Sequence, residues 1–183
     1  MTTRTLLAAA VVATLGACAS APPMSMFSQA SLPDAVRVPA GFAVAIETVG
    51  VGEITYECKA KTGPTAMAGE FEWVFVGPKA VLNDRSGKML GSYYGPPATW
   101  QAADGSKITG AQLAVAPASA GNIPLQLVKA NEAMGSGAMS GITHIQRVAT
   151  RGGVAPTMPC AFASMGQRQV VAYQADYIFW KAM

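Results

Sequence analysis

The chain carries a single histidine, His144, in "GITHIQRV". One imidazole cannot build a His-rich zinc site or the H-E-x-x-H arrangement of a metalloprotease. A Ser-His-Asp triad is arithmetically open through Asp176 and one of the serines, but no G-x-S-x-G elbow presents a nucleophile. A strand residue with satisfied hydrogen bonds is the simpler reading of His144. Glu70 and Glu72 form the one carboxylate pair with glycosidase-like spacing, about 6–7 Å apart along a strand. They alternate with Phe71, Trp73 and Phe75, so a solvated polar face opposite an apolar one accounts for them more simply. No catalytic residue is expected.

Ligand-binding chemistry has three further candidates. Thioethers bind Cu(I), and Met24, Met26 and Met158 would be the places for it, yet the methionines lack a tight repeated spacing and read as packing filler. "GSGAMSG" (135–141) fails the dinucleotide fingerprint because Ser140 stands at the third glycine position, so it is expected as a loop and no cofactor is expected. The third is "GSYYGPPATWQAADGS" (91–106), where Tyr93, Tyr94 and Trp100 sit in a Gly/Pro frame of the kind that stacks rings on sugars. Tyrosine and tryptophan serve equally as β-core residues with a polar handle, the simpler role here. With Arg147 these three are the candidate ligand-binding residues, and Asp104 stands close by in sequence.

The N-terminus sets the address. "MTTRTLLAAAVVATLGACAS" has one charge, Arg4, then an apolar run from Leu6 to Leu15. That run is too short to span a bilayer, which needs about 20 residues, and has the length of a signal-peptide core. Leu15-Gly16-Ala17-Cys18 resembles a bacterial lipobox. The motif implies cleavage before Cys18, diacylglycerol on its sulfur and an acyl chain such as palmitate on the new amine, enough chains for stable anchoring. With no aspartate at the second mature position, the expectation is a bacterial cell-envelope protein, lipid-anchored at the outer membrane. Residues 1–17 are then the signal peptide, and the small, proline-bearing residues 18–34 a tether.

Of 183 residues, 166 remain after cleavage, enough for one domain with its own core, residues 35–183. Losing Arg4 leaves 12 basic residues against 10 acidic, which supports no nucleic-acid partner. Cys58 and Cys160 remain after Cys18. In an oxidising compartment such a pair is expected as a structural disulfide; a metal pair or redox couple would call for CxxC or a neighbouring histidine.

The positioning elements read as strands. "FAVAIET" (42–48) and "EITYECKA" (53–60) flank Gly50-Val51-Gly52, which predicts a hairpin. "GEFEWVFVG" (69–77) alternates cleanly. A hairpin is expected around Asn83–Gly87, and another at Asp104-Gly105 as a type I′ turn. "GITHIQRVAT" alternates His144, Ile142 and Gln146 against Thr143, Ile145 and Arg147. In "RQVVAYQADYIFW" Tyr173, Ala175, Tyr177 and Phe179 share a face. Only "IPLQLVKANEAM" (123–134) invites a helix, and a strand fits it as well. With 19 glycines and 12 prolines as punctuation, the fold is expected to be all-β: a β-sandwich or partly closed barrel of eight to ten mostly antiparallel strands, with at most one short helix.

In order, "ITYECKA", "EWVFVGPKAVLNDRSGKMLGSYYGPPATWQAADGSKITG", "IPLQLVKA", "GITHIQRVATRGGVAPTMPC" and "YQADYIFWKA" are similar to the DUF3455 family, secreted bacterial and fungal proteins of unknown function. The similarity covers roughly residues 35–182. It is carried by Trp73, Pro78, Leu82, Trp100, Asp104-Gly105-Ser106, Gln146-Arg147, Thr150, Gly152-Gly153, Pro156, Cys160 and Asp176-Tyr177. The resemblance implies one mostly β extracytoplasmic domain and pairs Cys58 with Cys160, but supplies no activity. Many relatives place a histidine in H-x-x-G-P-x-W; Tyr93 stands near that place here, with one extra residue before Trp100, so any role of that histidine is absent from this chain.

The expected function is that of a non-enzymatic, envelope-anchored lipoprotein with a structural or ligand-binding role. Its partners are the membrane through the lipid and, further, envelope polysaccharide or another envelope protein. A glycan-binding or glycan-active protein using Tyr93, Tyr94 and Trp100 is the alternative, and a copper or redox-stress protein the third.

Overall fold

The computed structural model describes residues 27–64 and 66–183. The expected signal peptide, Cys18, Met24 and Met26 lie outside the described residues.

Eight strands follow one another among the described residues: β1 (Phe42–Ala60), β2 (Phe71–Asn83), β3 (Met89–Tyr94), β4 (Thr99–Ala102), β5 (Lys107–Ala116), β6 (Leu125–Ala130), β7 (Ile142–Gly152) and β8 (Arg168–Ala182). Each pairs antiparallel with the next, and β8 pairs with β1, so the sheet closes fully into an up-and-down barrel. The all-β expectation holds, with the barrel complete and no sandwich formed. The only helical pieces among the described residues are two 3-10 turns, Asp34–Val36 and Phe162–Ser164.

One local expectation is corrected and one open choice decided. Gly50-Val51-Gly52 is no hairpin; β1 runs unbroken for 19 residues through it. Both glycines face the barrel interior, where a Cβ on Gly50 would lie 2.7 Å from the Tyr177 ring and one on Gly52 would strike the backbone of Lys79 and Ala80. They mark close packing rather than chain reversal. Of the two readings left open for "IPLQLVKANEAM", the strand holds as β6: Val128 faces the interior while Leu127 packs outward against Val148 and Ile178.

Interior and exterior follow the period-2 alternation. Tyr173, Ala175, Tyr177 and Phe179 point inward with Ile54, Leu82, Trp100, Ile108 and Ile145. A bulge between Ile142 and His144 turns Ile142 inward, off the face expected for it beside His144 and Gln146. An eight-stranded barrel is narrow enough for side chains to fill, and three rings fill this one midway. Tyr93 stacks on Trp100 at 4.7 Å, Tyr177 lies 4.9 Å from Tyr93, and its edge meets Trp100 at 6.0 Å.

The outer face of β6–β8 is covered too. Residues from Phe27 to Val38 cross it, burying Val36 and Val38 against Leu127, Val148, Ile178 and Trp180. Ile178, outward in the alternation, is therefore as buried as its inward neighbours. Gln146 sits beneath this strap: its amide donates to Val36 O (2.6 Å) and Gln29 Oε1 (3.0 Å), and its carbonyl accepts from Trp180 Nε1 (2.9 Å). Residues 27–34, in the stretch read from composition as tether, lie against the barrel.

Cys58 is bonded to Cys160, as expected, with Cα atoms 5.5 Å apart. The bridge ties the β7–β8 connection to one end of the barrel, the disulfide end. The opposite, hairpin end carries the β2–β3 and β4–β5 hairpins and the β6–β7 connection.

Candidate functional site: the two mouths of the barrel

With the middle plugged by rings, the interior cavity lies at one end of the barrel. The hairpin end holds a cavity of about 400 Å³ lined chiefly by Ile46, Thr48, Leu82, Leu90, Ala102 and Met139, with Lys88 and Asp104 at its rim. The volume falls in the range of small-molecule pockets, and barrel mouths are a usual place for them. The Thr48 hydroxyl is committed to Tyr177 O (3.2 Å), so the lining is functionally apolar.

The β6–β7 connection, containing the "GSGAMSG" loop, folds over this mouth and inserts Met139, which is 3% exposed. Its latch comes from the β4–β5 hairpin. Asp104 Oδ1 accepts from Ser106 N (2.9 Å) and Ser106 Oγ (2.6 Å), while Oδ2 accepts from Ala138 N (2.7 Å) across the gap. Ser106 Oγ also accepts from Met139 N at 3.2 Å. This corrects the turn expected at Asp104-Gly105. A type I′ turn needs positive φ at both central residues. Here only Gly105 is left-handed (φ 88°), with Gly105 N donating to Ala102 O, which is the three-residue hairpin closed by a glycine bulge.

Hydrogen bonds to the ionised carboxylate, those from Ser106 foremost, hold Asp104 below the ordinary aspartate range. The latch is thus intact at ordinary pH. Its contribution is present above the ordinary value of 3.8 and is lost as pH falls through the lowered one.

The disulfide end is polar. Arg147 alternates with Ile145, which is core, so it faces inward, beside Tyr177 on β8 and Gln126 on β6. Its Nε and Nη2 both donate to Pro124 O, at 3.2 and 3.0 Å. Tyr56 donates to Gly153 O (2.7 Å), and the Tyr173 and Tyr177 hydroxyls meet at 3.2 Å. Burial pushes Tyr56 and Tyr93 up, Tyr173 up to about 12 and Tyr177 well above the tyrosine range, and Arg147's charge opposes the rise in all four.

The aromatic candidates separate. Tyr93 (6% exposed) and Trp100 (1%) are core and cannot stack on a ligand from outside, since their rings face inward by strand alternation. Of the three, only Tyr94 lies at the surface, 38% exposed, and its hydroxyl donates to Gln101 Oε1 at 3.0 Å. It borders an open groove on the outer face of β1–β3, with Val51, Glu53, Lys79, Val81 and Ser92.

The other sequence candidates are not brought into a common site. His144 packs edge-on to Phe42 at 4.6 Å, and burial lowers its pKa, so it stays neutral. Asp176 is held by Arg85 at 2.7 Å, away from His144 in its role as a triad partner. Glu70 pairs with Lys61 at 3.2 Å, and Glu72 is exposed. Met67, Met89 and Met134 lie exposed on separate connections and strand ends, and Met158 and Met165 lie exposed on the β7–β8 connection. Sequence reasoning missed Met139, the latching role of Asp104 and the convergence of Tyr56, Tyr173 and Tyr177 on Arg147. Alternation could place each tyrosine inward, but no local signal brings the three strands together.

The family model described as "protein of unknown function (DUF3455)" matches residues 39–181. No curated protein and no solved structure matches the chain. The chain belongs to the DUF3455 family.

Proposed function

We propose that this protein is an envelope-anchored binding protein that holds a small apolar molecule in the hairpin-end mouth of its barrel. The cavity of about 400 Å³, apolar within and polar at its rim, is the observation that carries the reading. Apolar walls supply affinity by removing ligand surface from water, and the Lys88 and Asp104 rim orients a ligand with one polar end. The latched connection bearing Met139 closes over the occupant.

A neutral fluorescent probe, N-phenyl-1-naphthylamine, tests this. The mature domain should bind it saturably, and Ala102→Leu, which fills the cavity from the wall, should weaken binding about tenfold or more with the melting temperature preserved. Absence of saturable binding, or equal binding by the folded Ala102→Leu protein, overturns the proposal.

The anchor is Cys18, on the strength of the lipobox-like Leu15-Gly16-Ala17-Cys18. Expressed with its leader, the Cys18→Ser protein should leave the membrane fraction for the soluble one. Retention of that variant in the membrane rules the lipid anchor out. Tyr94 and its outer groove favour a second reading, glycan binding on the barrel wall, with the ring as stacking face and Lys79, Glu53 and Ser92 as hydroxyl partners.

A further inference from the structure

We propose that the disulfide-end mouth is a binding site for a small oxyanion, a carboxylate or phosphate group, with Arg147 as its cation. Three observations converge on it. First, Arg147 is a charge without a counter-charge. It faces the barrel interior, makes no ion pair among the described residues, and no carboxylate stands on the inward face of any strand. A half-buried guanidinium with no carboxylate beside it keeps its charge for an incoming anion.

Second, its guanidinium is already oriented. Nε and Nη2 fork onto Pro124 O, which fixes the plane, while Nη1 has no partner among the described residues. A planar fork with free donors matches a carboxylate or phosphate edge. Third, a neighbouring donor is idle. The Tyr93 hydroxyl has no hydrogen-bond partner among the described residues, and its ring lies 4.9 Å from that of Tyr177, which pairs with Arg147. Arg147's charge is felt at that hydroxyl.

Access is open from outside. Val115 and Phe75 face inward by register, being opposite Gln126 and Tyr56, but are 46% and 53% exposed. Inward side chains are that exposed only where the barrel opens to solvent. Gln126, joined to Gln112 at 2.7 Å, completes the rim beside Arg147.

The test is an NMR titration of the mature domain with benzoate and, separately, inorganic phosphate, at ionic strength held constant with chloride. The Arg147 Nε–H resonance should shift saturably with at least one anion, whose melting-temperature increment should vanish in Arg147→Gln. Arg147→Lys, which keeps the charge and loses the fork, should bind about tenfold more weakly. Which anion saturates the resonance identifies the carboxylate or the phosphate source. An Nε–H signal unmoved by both anions, or an undiminished increment in folded Arg147→Gln protein, overturns the site. The wild-type titration decides the matter even if the variant fails to fold. Binding of the neutral naphthylamine probe at the opposite mouth is unaffected by either result.

Discussion

Trp100→Ala should destabilise the domain by about 3–5 kcal/mol, a fall in melting temperature of roughly 6 to 20 °C. Trp100 is 1% exposed, stacked on Tyr93 and met by the edge of Tyr177, so its removal leaves a cavity where the barrel is most tightly filled. Trp100→Phe should cost much less. The indole N–H is buried without a partner, so replacing it with a carbon edge removes an unsatisfied donor along with part of the ring. Tyr94→Ala, on the outer wall, should stay within about 0.5 kcal/mol of the parent. Thermal unfolding of the three variants makes the comparison. A Trp100→Ala protein that melts with the parent would defeat the core assignment. The Tyr94→Ala protein then serves as a clean probe: if it binds peptidoglycan as well as the parent does, the outer groove is not a glycan site.

The double variant Cys58→Ala/Cys160→Ala should lose about 4–5 kcal/mol in the loop-entropy picture, because the bridge joins residues 102 apart in the unfolded chain. Strain or residual structure in the unfolded state can reduce that figure, and about 2 kcal/mol is the lower expectation. The local consequence is separable from the global one. Beyond the bridge, Gly153 O and Gly166 N hold the two ends of the β7–β8 connection to Tyr56 Oη (2.7 Å) and Cys58 O (2.8 Å), and its middle is held by Trp73 Nε1 donating to Met158 O (2.9 Å) and by the edge contact of Phe71 with Phe162 (6.2 Å). The β1–β8 ladder is independent of the sulfurs. Limited proteolysis should therefore cut the variant first between residues 154 and 165, before the barrel unfolds. Equal melting temperatures and an unchanged cleavage pattern would show the bridge to be dispensable.

Both predictions rest on features with different legibility. The cysteine pair could be read because export chemistry restricts what two cysteines do, independently of fold. Strand identity could be read wherever alternation was unbroken, as from Tyr173 to Phe179, whose inward face the barrel reproduces. Gly50-Val51-Gly52 misled because glycine has two uses, turning a chain and admitting a neighbour. Only the position of Tyr177 and Ala80 on the two neighbouring strands shows which applies. Tyr93 and Trp100 left two readings open: their Gly/Pro frame belongs to the turn between β3 and β4, and the rings themselves point to the axis, the core role that was the simpler one.

By itself, the sequence determined an all-β domain, its approximate strands, the Cys58–Cys160 bond and the family. These depend on short-range pattern or on the chemistry of a residue type. Only the tertiary structure decided that β8 closes on β1 and that residues 27–38 cover the outside. It alone brought Asp104 to the β6–β7 connection and set Arg147 among four tyrosines. Alternation has a period of two and says which way a side chain points. Which side chains meet across a closed barrel depends on register and on the bulges that shift it, and no local stretch of sequence contains either.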